Sequence, residues 1–374
     1  MRLAILATLL SFGFAARLTA LPTMIRLGYP NCVSCHVSPQ GGGLLNEYGR
    51  GIDEAQSWKA GEYKPKDGRL ARTLNWQGRI NQDVRMLNNG QFDSDRSILR
   101  SRWFYRNVTE LGKGVRISTT VEAAAQGQVR RTLPYERTVA IGSYHVDTAL
   151  LQYRAAPGLE IAVGRDALPT GLNTPDQNLF IKSRNRLGFY DTPTQAKLFW
   201  WGRRYHINPY VFAPSGEEAS QDRESGGGFL AEFDPLGNGR AIVGINTLQA
   251  RGRTVDRAMT GLYTRLGFGQ WGIFAEHDYS LRTPRGANSQ AFAQSTSFAQ
   301  VFWAAREWLV AYAGAERLRV AVPFPESRVA GRFDLVARLS SQFTVGSSVR
   351  VEHDARNGRM APAVSLQLAW KTVP

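Results

Sequence analysis

Cys32 and Cys35 are the only two cysteines in the chain, and His36 follows the second directly. Asn31-Cys32-Val33-Ser34-Cys35-His36 is thus a C-x-x-C-H run. At this spacing two thiols can add across the two vinyl groups of a haem, and the next imidazole is delivered to one axial face of the iron. Two other chemistries compete. A redox-active dithiol calls for a βαβ context, and zinc calls for four ligands where no second Cys or His pair lies nearby. The expectation is one covalent haem c, bound at Cys32, Cys35 and His36, with His36 as an axial ligand of the iron.

The second axial ligand is open at this stage. Met24 and Met86 are near in sequence, and His145, His206, His277 and His353 are farther away. Met24 and His206 are kept as candidates. Methionine or histidine in that place would set the reduction potential. Outer-sphere electron transfer needs no acid or base, so no catalytic residue is expected.

The elements that hold this motif are of three kinds. Residues 1–20 read as a secretory signal: Arg2, an apolar run from Leu3 to Ala16, then small residues up to Ala20. Residues 21–70 form the haem segment, too small to build a good core alone. Within it Gly41 to Gly43 make a turn, and a short helix from Leu44 onward is expected to be interrupted at Gly49 and Gly51.

Residues 71–374 alternate with period two. Leu74, Trp76, Ile80, Val84 and Met86 share one parity, while Asn75, Gln77, Arg79, Asn81, Asp83 and Arg85 share the other. Val115, Ile117 and Val121 alternate with Arg116, Ser118, Thr120 and Glu122, and Leu366, Leu368 and Trp370 with Gln367, Ala369 and Lys371. Successive strand side chains point to opposite faces, so one face is apolar and the other polar. Strands are expected near 72–87, 97–111, 114–127, 144–155, 159–165, 194–201, 204–213, 227–234, 240–250, 258–267, 270–280, 295–304, 308–320, 329–339, 343–353 and 361–371. Long connections at 88–96, 128–143, 166–193, 214–226 and 281–294 alternate with short ones at 112–113, 156–158, 202–203, 235–239 and 268–270.

That pattern predicts an all-β fold: an antiparallel transmembrane β-barrel of about 16 strands, with the haem segment plugging the lumen. An even strand count places both termini on the periplasmic side. Aromatic runs such as Phe199-Trp200-Trp201 and Trp103-Phe104-Tyr105 fall near strand ends, where interface girdles belong. Parity turns Met86 toward lipid and His206 toward the lumen.

Hydrophobic residues make up 43% and charged residues 21%, which excludes a disordered chain and a helical membrane protein. The formal net charge of +15 suits anionic partners. Export removes nucleic acid from that class. Outer-membrane lipid, the barrel assembly machinery and a periplasmic c-type cytochrome or other soluble electron carrier are the partners expected.

An export signal, one C-x-x-C-H near the mature N-terminus and a porin-like barrel together resemble the fused monohaem cytochrome–porins of the outer membrane. Ala20, Pro22 and Arg26 match that family's pattern before the haem motif. Leu45, Asn46, Tyr48, Gly49 and Arg50 resemble its Leu-Asn-x-aromatic-Gly-Arg stretch after it. The resemblance implies electron transfer through the haem between an extracellular donor, ferrous iron in the best-known members, and periplasmic cytochromes. The alternative is a haem-plugged porin that gates or senses without redox turnover.

Overall fold

The computed structural model describes residues 22–38, 40–41, 44–59, 70–86, 92–126, 143–174, 176, 178–187, 191–216, 223–286, 290–323 and 325–371; of 70–86, 92–100, 125–126 and 143–144 it describes the backbone alone. The expected signal segment lies outside these residues, as do 88–91 and 128–142 of the connections expected at 88–96 and 128–143, while 92–96 belong to a strand instead of a connection.

Sixteen strands form one antiparallel sheet: β1 (Leu70–Met86), β2 (Phe92–Gly112), β3 (Val115–Gln126), β4 (Ser143–Ala156), β5 (Leu159–Arg165), β6 (Thr194–Trp201), β7 (Tyr205–Ala213), β8 (Glu224–Phe233), β9 (Ala241–Gly252), β10 (Val255–Phe268), β11 (Trp271–Pro284), β12 (Phe292–Arg306), β13 (Leu309–Val320), β14 (Glu326–Arg338), β15 (Phe343–Asp354) and β16 (Arg359–Lys371). Each strand pairs with its sequence neighbours, and β16 returns to β1 in register Asn75↔Lys371 through Asp83↔Ala363, closing the barrel. Closure leaves no unpaired sheet edge, which is what lets strands cross lipid.

The alternation has the predicted sense. On β3, Arg116, Ser118 and Glu122 are buried while Ile117 is exposed. On β16, Gln367 and Ala369 are buried while Leu366 and Leu368 are exposed. Leu262 at 60% and Val211 at 61% exposure belong to an outward apolar surface far larger than soluble monomers carry. Many exposed aromatic residues lie toward the end of the barrel with the tight turns, whereas Trp103 and Tyr105, expected near a strand end, sit in the middle of β2. At the tight-turn end Trp271 stacks on Trp303 at 5.7 Å, and Trp200 meets Tyr205 edge-on at 5.2 Å. Among the described residues no helix is long and apolar enough to cross a membrane.

Two expectations need correction. Several strands run further than expected toward the long-loop end, β11 to Pro284 and β12 from Phe292. The hairpin ladder continues there through Val255↔Pro284 and Leu281↔Ala293, beyond where the hydrophobic pattern fades. The length alternation also fails over part of that end. Residues 253–254, 321–325 and 355–358 are short connections where long ones would keep the pattern.

The longest connection, 166–193, does not stay outside. Its residues Leu172, Leu179 and Ile181 are buried in one cluster with Phe274, Phe302 and Tyr312 of the strands. Lumen-wall carboxylates take its backbone: Leu172 N–H donates to Glu276 (2.8 Å) and Phe180 N–H to Glu316 (2.7 Å). Gln294 Nε2 donates to Arg184 O at 3.0 Å, and Asn185 Nδ2 to Asp278 at 2.8 Å. The lumen is therefore narrowed from within.

An outward apolar band has a measurable consequence. Leu262→Arg is expected to cost about 2–4 kcal/mol in protein folded into phospholipid vesicles, read from guanidinium unfolding. An unchanged midpoint would contradict the lipid-facing placement of Leu262.

Candidate functional site: a cysteine-bearing plug in the barrel mouth

The segment before β1 docks in the mouth that carries the tight turns. The 3-10 helix Pro22–Leu27 packs on β10 and β11. Ile25, 1% exposed, joins the same apolar cluster as Leu172 and Ile181, a burial that contributes about 1.5–3 kcal/mol. Arg26 pairs with Glu307 in the β12–β13 turn. A Cβ on Gly267 would overlap the Arg26 backbone, so β10 can take the helix this closely only at a glycine.

The C-x-x-C-H residues follow on a second 3-10 turn, Cys32–Ser34. Cys35 N–H and His36 N–H both donate to Cys32 O, at 3.2 and 2.9 Å. This chain reversal brings the two thiols and the imidazole onto one short turn. His36 is buried, forms an antiparallel bridge with Leu45, and is followed by Val37 N–H donating to Leu44 O at 3.0 Å. The two cysteines are not joined to each other. Burial pushes the Cys32 thiol up to about 11, and it also raises Cys35.

The helix Glu47–Ala55 is clamped against this turn, and it runs through Gly49 and Gly51 where an interruption was expected. The reason is packing. A Cβ at Gly49 would overlap the carbonyl oxygen of Cys35, so glycine is what lets the helix lie on the cysteine turn. Asn46 organises both parts. Its Oδ1 caps the helix by accepting from Gly49 N–H at 2.8 Å, worth about 1 kcal/mol. Its Nδ2 donates to Val33 O and Ser34 O at 3.2 Å each, and its backbone N–H donates to Cys35 O at 2.9 Å.

The wall holds the turn from three sides. Arg116 Nη2 donates to Val37 O and to both oxygens of buried Glu160, each at 2.7 Å. Arg265 Nη2 donates to Pro30 O at 3.0 Å and to Glu232 at 2.6 Å. Lys197 Nζ donates to Gln40 Oε1 at 2.6 Å, while Gln40 Nε2 reaches Ala167 O at 3.1 Å on the inserted loop. At the far end of the segment Trp58 and Lys59 N–H groups donate to Arg338 O (2.9 Å) and Leu339 O (3.1 Å), and Lys371 pairs with Asp53.

Beside Cys32 lies a cavity of about 80 Å³. Its walls are Gly41, the inserted loop from Asp166 to Thr174, Lys182, and His206, Glu232 and Arg265 of the strands. Gly41 has φ +81°, and a Cβ there would come within 2.8 Å of Cys32 Sγ, so the thiol has room only because position 41 is glycine.

The sequence candidates for a second axial ligand separate on this geometry. His206 faces the lumen as parity predicted and lines the cavity with Cys32. Met24 sits on the 3-10 helix and is not part of the cavity wall. His277 and His353 are exposed on the outside of the barrel. His145 is inside but near the long-loop end of β4, against Arg165 and Thr192. The side chain of Met86 lies outside those described. Sequence reasoning missed Glu232 and Arg265. Their parity was visible, but their proximity to the motif depends on strand register and plug docking.

Two outcomes follow from this packing. In protein isolated with free thiols, Cys35 is expected to alkylate before Cys32, since a thiol with a pKa of about 11 is only about 0.1% thiolate at pH 8; mass mapping after brief iodoacetamide treatment reads the order. Gly49→Ala is expected to weaken plug docking by about 1–3 kcal/mol. Faster proteolysis within 22–59, with barrel resistance unchanged, is the signature, and equal rates would contradict the clamp.

No family model and no curated protein matches the chain. Solved structures do. The outer-membrane channel DcaP of Acinetobacter baumannii aligns over 83% of this chain and 99% of its own at TM-score 0.59 and 11% identity. An anion-selective porin from Comamonas acidovorans aligns over 81% and 100%, at TM-score 0.59 and 11% identity. The outer-membrane-expressed OmpT of Vibrio cholerae aligns over 82% and 99%, at TM-score 0.58 and 9% identity. The likeness is one of architecture, and the chain has the fold of outer-membrane porin barrels.

Proposed function

We propose that this chain is an outer-membrane electron-transfer cytochrome–porin. One haem c, attached at Cys32 and Cys35 and ligated by His36, passes electrons between an extracellular donor and a periplasmic cytochrome. The observation that carries the reading is the C-x-x-C-H turn itself, docked in the tight-turn mouth of the barrel with Cys32 opening onto a walled cavity. The donor set suits a haem: of the three motif residues Cys32 lines the cavity, glycine at 41 leaves its thiol room, and the wall carries a buried His206 Nε2 with no hydrogen-bond partner. The macrocycle is larger than the cavity as it stands, so holding it would require the walls of the cavity to shift. Bound there, the haem iron supplies one-electron redox chemistry, while the chain's own residues position and shield it.

Placement sets the partners. The tight-turn end is the periplasmic end in porin barrels, so a soluble cytochrome meets the plug directly. A donor from outside has to come down a lumen narrowed by residues 166–187. With a formal net charge of +15, the protein favours an anionic donor such as an iron chelate over free ferrous ion.

One observation favours a second reading. The plug and the inserted loop share a single apolar cluster inside the lumen, Ile25 with Leu172, Leu179 and Ile181. Movement of either would move the other and change the aperture, as in a haem-plugged porin that gates.

Stopped-flow spectroscopy on detergent-solubilised protein separates the two. Rapid haem reduction by a ferrous chelate or a quinol analogue, with little planar-bilayer conductance, is expected for the electron conduit. A haem spectrum indifferent to both donors, beside ligand-sensitive conductance, would favour the gate. The double variant Cys32→Ala/Cys35→Ala is expected to lose all covalent haem stain while its barrel still folds; retained stain would defeat the attachment.

A further inference from the structure

The geometry points to His206, through Nε2, as the residue that would supply the iron's second protein ligand beside that of His36. This inference rests on the haem reading above and deepens it. His206 is the second residue of β7, inside the barrel at the end where the plug docks. Its register partner on β8 is Glu232, and His206 Nδ1 lies 3.3 Å from Glu232 Oε2. An ionised carboxylate can only accept, so Nδ1 carries the proton that faces Glu232, and Nε2 is the nitrogen free to bind a metal through its lone pair in the neutral ring.

Glu232 is itself fixed. Tyr263 donates to its Oε1 at 2.9 Å and Arg265 at 2.6 Å, and the same Arg265 nitrogen holds Pro30 O, two residues before Cys32. One carboxylate thus links the orientation of the imidazole to the position of the haem-binding turn. Phe199 completes the setting by stacking on the ring at 6.2 Å and 9°.

His206 Nε2 is buried and has no hydrogen-bond partner, and its residue lines the cavity that Cys32 lines. A buried acceptor left without a donor is unfavourable, and a metal ion uses that lone pair. A carboxylate on the far nitrogen is the arrangement that orients an imidazole ligand and makes it more basic. The described methionines do not offer this. Met24 is outside the cavity wall, Met259 packs in an apolar cluster with Leu168 and Leu187, and Met360 is exposed. Two imidazoles give a low-spin iron with a lower potential than a methionine–histidine pair.

The test uses the full-length, detergent-solubilised holoprotein. Intact mass first establishes covalent haem. Electron paramagnetic resonance and near-infrared magnetic circular dichroism then read the axial pair in the oxidised protein. The wild type is expected to show a bis-imidazole low-spin signal. His206→Ala is expected to lose that signal, become high-spin, and recover it with added imidazole. His206→Met is expected to shift the near-infrared band to the methionine–histidine position and raise the potential. Barrel folding of both variants is checked by heat-modifiable gel mobility, and the wild-type axial signature stands as a measurement in its own right. An axial spectrum unchanged in His206→Ala, or a wild type with methionine or open coordination, overturns this inference and leaves the haem reading intact. A chain without covalent haem overturns both.

Discussion

Side chains on a strand alternate faces, and in a closed sheet those faces become lipid and lumen. Everything else in this molecule follows from that constraint. The outside has to be apolar, so the charges of a strongly basic chain are concentrated inside, where isolated ions are costly to bury. Much of this inner charge is already employed. Glu276 and Glu316 hold the backbone of the inserted loop, and Arg116 and Arg265 hold the backbone of the plug. The lumen wall binds two segments of its own chain with these groups.

The two segments meet each other as well. The inserted loop and the 3-10 helix of the plug share an apolar cluster, and Gln40 and Asn173 exchange a further contact across the same junction (2.6 Å from Asn173 Nδ2 to Gln40 O). The cavity beside Cys32 is the gap left where they fail to close. Its wall is polar on the strand side, where Glu232 gathers His206, Tyr263 and Arg265, and formed by loop backbone on the other. A small reactive turn with no core of its own thereby acquires a rigid and charged surround.

Much of this was legible in the chain. Period-two alternation located sixteen strands, with β5 and β6 found to the residue, and parity turned His206 inward. Local pattern could not show the continuation of β11 and β12, because there the ladder is held by pairing with a neighbour and not by an apolar stripe. Gly49 and Gly51 were read as helix breakers by propensity, whereas the need for close approach to Cys35 overrides propensity at Gly49. The inward fold of 166–187 had no local signal. Its anchors, Glu276 and Glu316, lie about a hundred residues or more downstream, and on sequence they were only lumen-facing acids. The same holds for Glu232, whose partnership with His206 exists only through the β7–β8 register.

The tether at the end of the plug has a bearing on how the molecule is made. Trp58, Lys59 and Asp53 are held by Arg338, Leu339 and Lys371, groups on β14, the β14–β15 turn and β16. The segment that leaves the ribosome early thus finds its berth only after the last hairpins are in place. Until then the contacts that tether the end of the plug to the wall are unmade. Once β16 meets β1, the berth is complete and the turn can dock in the barrel mouth. Seating of Cys32 and Cys35 in the mouth therefore belongs to the last stage of barrel assembly.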